Sequence, residues 1–184
     1  MKRNCKFNYT NERWLRVKQE LHVFFDYICP YCLKAHKYLK ELIPEYPAVT
    51  IVWHPCESHP RPDRYGPHSD LCIQGYFYAV NHGFDILEYH ERMYQAAQKE
   101  SINIENIDAL TECVSDLVDA DDFRLSLQLG TYRGKLDESN KLAFEKSDVW
   151  AVPAYRIGDL RLDAVENVGV SKEQILHLIK NHCI

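Results

Sequence analysis

The residues best placed to do chemistry in this chain are two cysteines held two positions apart, in Cys29-Pro30-Tyr31-Cys32. A thiolate, not a thiol, attacks a disulfide. A cysteine at the start of a helix faces unpaired backbone N–H groups and the positive end of the helix dipole, and both favour the charged sulfur. A second cysteine one turn later lies close enough to attack the mixed disulfide and release the substrate. Pro30 suits the first helical position, where no backbone hydrogen bond is lost. Tyr31 puts a bulky aromatic beside the first sulfur and bears on the redox potential. The competing chemistry is half of a zinc site. Such a site needs a second ligand pair with recognisable spacing, and no other C-x-x-C or spaced histidine pair has an obvious partner. His54, Cys56, His59 and His68 are metal-ligand types, but they fall in a proline-rich stretch. The spacing favours redox chemistry, with no metal and no organic cofactor.

The elements around the pair fit that chemistry. Residues 21–28 (LHVFFDYI) form a short apolar and aromatic run, which reads as a buried strand ending at Cys29. Leu33, Ala35, Tyr38, Leu39 and Leu42 recur at helical spacing, and Pro44 and Pro47 stop that helix. Residues 49–53 (VTIVW) are β-branched and read as a second strand, so the order strand, helix, strand implies a parallel crossover. The stretch 54–68 is proline-rich and leaves the sheet as a loop. A helical block follows: one helix from a Ser69 or Asp70 cap to about Asn81 with Gly83 behind it, then 86–99, 107–118, a helix opened by Asp121 and closed by Gly130, and 135–146. Residues 154–157 and 160–164 read as a hairpin turning at Gly158-Asp159, and Ser171 caps a last helix. The fold class is α/β: a thioredoxin-like domain over 19–58 and 150–184, an inserted all-helical subdomain over 59–149, and an N-terminal extension over 1–18.

Composition narrows the function class. The formal net charge is −5, so no basic excess points to nucleic acid or an anionic membrane. The N-terminal stretch has no apolar core of a secretory signal, and no run approaches a membrane span. The seven cysteines are an odd number, at scattered positions, unlike a secreted disulfide framework. These features point to the cytoplasm, where a close cysteine pair is catalytic or metal-binding rather than structural.

Val152-Pro153 stands just before a strand, and Pro153 reads as that strand's first residue, the place where a sheet tolerates proline. Only about 5–6% of X–Pro bonds are cis, but an upstream C-x-x-C makes a cis bond the expectation here. FFDYICPYC, the helical block and AVPAYRIG together resemble the DsbA-like thioredoxin family, and its cytoplasmic FrnE-type branch in particular, over residues 20–183. Glutaredoxins share CPYC but are short, whereas about 120 residues separate Cys32 from Pro153 here. The resemblance implies a thiol–disulfide oxidoreductase with Cys29 as nucleophile, Cys32 as resolving thiol, and Pro153 as a cis-proline. Pro30, Tyr31, Val152 and Pro153 would line the substrate groove. The implied partners are disulfide or dithiol substrates, glutathione among them. Kappa-class glutathione transferases and 2-hydroxychromene-2-carboxylate isomerases are similar at Asp26, Pro30 and Tyr31, which makes a glutathione-linked enzyme the alternative. They usually carry Ser where Cys29 stands, so the two thiols favour dithiol chemistry. The acidic residue that periplasmic DsbA places six positions before its first cysteine is Val23 here.

Asp26 reads either as a proton acceptor for Cys32 or as a tether for the strand end. His54 and Glu57, at the end of the second strand, read first as solvated loop positions and second as facing the active-site edge; Cys72 and Cys113 read as buried small hydrophobes, and Cys5 and Cys183 as incidental. Tyr76, Phe77 and Tyr78 read first as core and second as groove lining.

Overall fold

A computed structural model describes residues 19–182. The N-terminal extension, Cys5 and Cys183 lie outside the described residues. The sheet has four strands in the order β2-β1-β3-β4: β1 (Gln19–Phe25), β2 (Val49–Pro55), β3 (Ala154–Ile157) and β4 (Leu160–Asp163). Helix α1 (Pro30–Leu42) carries the chain from β1 to β2, which pair in parallel, with Phe25 opposite Pro55. The β3–β4 hairpin adds β3 antiparallel to β1, with Tyr155 opposite Val23. Between β2 and β3 run α2 (Asp70–His82), α3 (Ile86–Gln98), α4 (Ile107–Val114), α5 (Ala120–Leu129) and α6 (Arg133–Lys141), and α7 (Lys172–His182) closes the described chain. This is a thioredoxin-like α/β fold with helices inserted after its second strand.

Alternation along β1 sets the two faces of the sheet. Leu21 and Val23 are buried with Ala35 and Leu39 of α1, Tyr155 of β3, and Ile175 and Ile179 of α7. Phe24 points the other way, into a small cluster with Cys56, Ala143, Val149 and Ala154. Phe25, Tyr27 and Cys32 belong to the largest cluster, whose remaining members are mostly supplied by the inserted helices. Within it, α2 approaches α3 and α5 so closely at Gly75 that a Cβ there would lie 2.2 Å from the Tyr89 hydroxyl and 2.8 Å from Phe123.

Several boundaries differ from the sequence reading, each for a local reason. β1 stops at Phe25, not Ile28, because the Asp26 carboxylate accepts the Ile28 N–H and turns the chain. β2 runs on to Pro55, and the Cys56 N–H still donates to the Phe25 carbonyl. Asp119, not Asp121, caps α5 by accepting the Asp122 N–H. The Ser69 side chain makes no capping bond to α2. α4 ends at Val114, and a π turn over Leu142–Lys146 follows α6 where the sequence predicts one continuous helix. Gly83 and Gly130 end α2 and α5 with φ of 72° and 62°, the left-handed caps expected of them.

Candidate active site

The turn after β1 delivers Cys29 to the start of α1. Cys29 is the N-cap residue, with extended backbone at φ −80° and ψ 116°, and Pro30 follows as the first helical residue. The Cys29 carbonyl accepts the N–H groups of Cys32 at 3.0 Å and Leu33 at 3.2 Å, which starts the helix. Cys29 is half-buried, while Cys32 is 1% exposed behind it. Both are free thiols. The Cys32 thiol beside it pulls Cys29 below the ordinary thiol range, against the effect of burial and with help from the N–H groups of Cys32 and Tyr31. Burial pushes Cys32 well above that range, and its contact with Cys29 adds to the rise. One sulfur of the pair is therefore prepared to ionise and the other to keep its proton.

The Val152–Pro153 bond is cis, and the Val152 carbonyl lies 3.6 Å from the Cys29 sulfur. Two distant parts of the chain thus meet at Cys29. Pro153 sits one residue ahead of β3 rather than as its first residue. Arg61–Pro62 and Gly66–Pro67 in the proline-rich loop are also cis. A groove of about 430 Å³ runs past Cys29, Pro30 and Tyr31, with Val152, Ser58 and His59 among its walls. Its rim is apolar and exposed: Trp150 is 87% exposed, Val165 59% and Phe144 40%. Hollows of about 600 and 650 Å³ lie between β4 and α7 and beside Arg92, but neither borders the thiol pair.

Asp26 is wholly buried at the base of the site. Its carboxylate accepts the Ile28 N–H at 3.2 Å and the Ser58 N–H at 2.7 Å, and its own N–H points at the Cys32 sulfur, 3.5 Å away. Burial raises its pKa despite the hydrogen bonds it accepts. The carboxylate thus tethers the turn after β1 to the loop at Ser58. Glu57 is a correction: it is no solvated loop residue but only 5% exposed, because Asn140 of α6 brackets it. The Asn140 amide donates to the Glu57 carboxylate at 2.8 Å, and the Glu57 N–H donates back to the Asn140 side-chain oxygen at 2.9 Å. His54 lies within β2, stacked on Phe24 and hydrogen-bonded to His22 at 2.8 Å. Cys72 is buried as expected, whereas Cys113 is only partly so. Tyr76 and Tyr78 are core, and Phe77 packs partly buried against it. Among the described residues, no three His, Cys, Asp or Glu side chains are grouped to hold a metal ion.

Two contacts have no signature in the sequence. Gln98, the last residue of α3, donates its side-chain amide to the Tyr27 carbonyl at 2.6 Å and to the Cys29 carbonyl at 3.1 Å. Nothing in the sequence marks a glutamine 69 positions after Cys29 as its neighbour. Tyr31 lies against Gly169, whose φ is 80° and where a Cβ would come within 2.6 Å of the Tyr31 ring. Gly169→Ala is accordingly expected to cost about 1–3 kcal/mol, from the unfavourable φ and the clash together. Thermal denaturation would register this as a fall of about 2–4 °C per kcal/mol in a domain of this size. An unchanged melting temperature would mean that Tyr31 does not rest on this loop.

A parallel-then-antiparallel sheet, a C-x-x-C at the first turn of α1 and a cis-proline beside it define a thioredoxin-fold protein of the helix-inserted class. The chain belongs to the family described as the DSBA-like thioredoxin domain, whose profile matches residues 20–176. This is a family of thiol–disulfide oxidoreductases. YwbO of Bacillus subtilis (strain 168), an uncharacterised protein, is 28% identical, with 76% of this chain and 86% of that protein covered. Among solved structures, Pseudomonas aeruginosa DsbA superposes with a TM-score of 0.65 at 20% identity, over 90% of this chain and 84% of that one. A probable DsbA oxidoreductase from Streptomyces coelicolor gives a TM-score of 0.72 at 12% identity, covering 89% of each chain. At these identities the two structures speak for the fold alone.

Proposed function

We propose that this chain is a cytoplasmic dithiol oxidoreductase of the FrnE-type branch, exchanging disulfides in polypeptide substrates through Cys29 and Cys32. The observation that carries this is the asymmetry of the pair: a half-buried sulfur held below the usual thiol range, backed by a buried one held above it. Thiolate Cys29 attacks a substrate disulfide, forms a mixed disulfide and expels one substrate sulfur as thiolate. Cys32 then gives up its proton, with Asp26 as the acceptor, and its sulfur attacks Cys29. That step closes the Cys29–Cys32 disulfide and releases the second substrate sulfur. The substrate gains two electrons and the protein loses them. Substrate oxidation is the same sequence reversed, and a stabilised Cys29 thiolate favours that direction. The apolar rim at Phe144, Trp150 and Val165 suits an extended polypeptide laid beside Val152 in strand fashion. Pro153 supports this by offering no N–H to compete for the sulfur. Glutathione is a small-molecule partner for the same chemistry. Cys32 behind Cys29 argues against a glutathione-linked transferase, because a glutathione adduct on Cys29 would be resolved. Cytoplasmic placement rests on the odd, scattered cysteines, of which Cys56 and Cys72 are buried and unpaired.

The test is equilibration in glutathione redox buffers of graded potential, followed by alkylation and mass analysis. Reversible loss of two hydrogens confined to Cys29 and Cys32 is the expected result, and the midpoint gives the direction of electron flow against the cellular poise. A pair that never oxidises, or oxidation that involves Cys56, Cys72 or Cys113 instead, would sink the proposal.

A further inference from the structure

The turn between β1 and α1 has little backbone support of its own. β1 ends at Phe25, and the first α1 bonds accept at Cys29. Between them, the Ile28 N–H is taken by Asp26 and the Cys29 N–H bonds weakly to the Asp26 carbonyl at 3.3 Å. The carbonyls of Tyr27 and Cys29 flank Ile28, and both receive the Gln98 amide. Gln98 reaches them from the inserted helices, not from the sheet domain.

We infer that Gln98 is a positioning residue for the dithiol reaction, holding Cys29 in its helix-capping conformation from across the domain boundary. One carboxamide nitrogen has two N–H groups, and two acceptors use both of them. The amide therefore fixes the turn at both ends and leaves Ile28 little freedom to swing. This matters because Cys29 gains part of its thiolate character from where its backbone stands. The N–H groups of Tyr31 and Cys32 face the sulfur only while Cys29 keeps its extended N-cap geometry at the mouth of α1. The same geometry keeps the sulfur 3.6 Å from the Val152 carbonyl, beside the proposed track of the substrate. The Gln98 amide is spent on the two carbonyls, so its effect on the sulfur runs through the backbone of the nucleophile. A glutamine that only filled hydrogen-bonding capacity would matter for stability and not for the acidity of Cys29.

The inference rests on Cys29 being the attacking thiol, and its test is separate from the test of turnover. The full chain and two variants, Gln98→Met and Gln98→Ala, would be reduced and alkylated with iodoacetamide from mildly acid to alkaline pH, reading Cys29 modification by mass. Met keeps the length of the side chain and removes both donors. The expected result is that Cys29 alkylation near about pH 6 slows about three- to tenfold in both variants, with the rate restored at alkaline pH, as for a thiol that ionises less readily. Melting temperatures should stay within a few degrees of the parent. A folded Gln98→Met protein with the parental pH profile would overturn the inference. So would a shift that appears only in a variant that has lost its cooperative melting, because the fold rather than the amide would then be responsible. Alkylation reads Cys29 whether or not the protein exchanges disulfides. A parent that alkylates at low pH but never forms the Cys29–Cys32 disulfide would therefore fail the proposed function and leave this result standing.

Discussion

Cys29→Ser is expected to lower disulfide exchange by about three orders of magnitude or more, to the rate of added thiol alone. A serine hydroxyl at this position has neither the acidity nor the nucleophilicity of the thiolate it replaces. Cys32→Ala has a different signature. The first attack survives, because Cys29 keeps its helix-start position and its groove, but nothing closes behind it. Covalent adducts between Cys29 and substrate should accumulate and be visible as reducible bands or masses. The alanine variant also loses the sulfur that contributes most to Cys29 acidity. Its first attack should therefore slow several-fold at mildly acid pH and recover as the pH rises. The buried cysteines give the control: Cys56→Ser or Cys72→Ser should leave exchange intact. Adducts that form on Cys32 in a Cys29→Ser protein would reverse the assignment of the two roles.

Asp26→Asn should separate proton transfer from attack. Burial holds the Cys32 proton, so its departure needs an acceptor within the protein, and Asp26 is a buried acidic residue whose backbone N–H reaches the sulfur and whose charge raises its pKa. Without it, resolution of the mixed disulfide is expected to slow about 100-fold near neutral pH, the low end of general-base effects. The deficit should narrow at alkaline pH as hydroxide takes over. Stability should respond with a definite sign. The folded-state pKa of Asp26 lies above its ordinary value of 3.8, because burial penalises the charge. Below that value the group is neutral whether the chain is folded or not, and the folded state loses nothing. As the pH climbs through the folded-state pKa, the unfolded chain ionises freely and the folded chain does so at a cost. Stability therefore falls across that window. Asn does not titrate, so the melting temperature of the variant relative to the parent should rise as the pH climbs from about 4 through the folded-state pKa of Asp26. Glu57 is raised by burial as well, so the variant should keep a shallower slope rather than become flat. Parallel melting curves for parent and variant at every pH would mean that Asp26 does not carry a raised pKa.

The cysteine pair, its strand and helix, and the proline that meets it are all legible in the sequence, because each is marked by local chemistry. Pro30 and Pro153 are conformationally distinctive residues. The spacing of Ala35, Leu39 and Leu42 along α1 follows directly from the packing of that helix on the sheet. Asp26 stands out by its position, but only three dimensions show that Ser58, 32 residues away, supplies one of its two N–H partners. Glu57 misleads for the same reason. A charged residue after a strand is normally solvated, and the side chain that buries this one, Asn140, is 83 positions distant. Gln98 carries no signal at all, since a glutamine ending an amphipathic helix is ordinary until its acceptors are known.

The point where the helical block leaves the sheet and the point where it returns are close together. Pro55 and Ala154 pair with Phe25 and Phe24 on opposite sides of β1, two strand spacings or about 10 Å apart. A short linker could therefore join them and leave a minimal four-stranded protein with its cysteines in sequence. Such a miniature would be a poor catalyst. Phe25, Tyr27 and Cys32, each at most 2% exposed in the whole chain, share their cluster with the side chains that would be removed. Excision would strip away the packing that keeps the Cys32 sulfur from water. The inserted helices are thus part of the core that closes over Cys32, while Cys29 stays open to the groove.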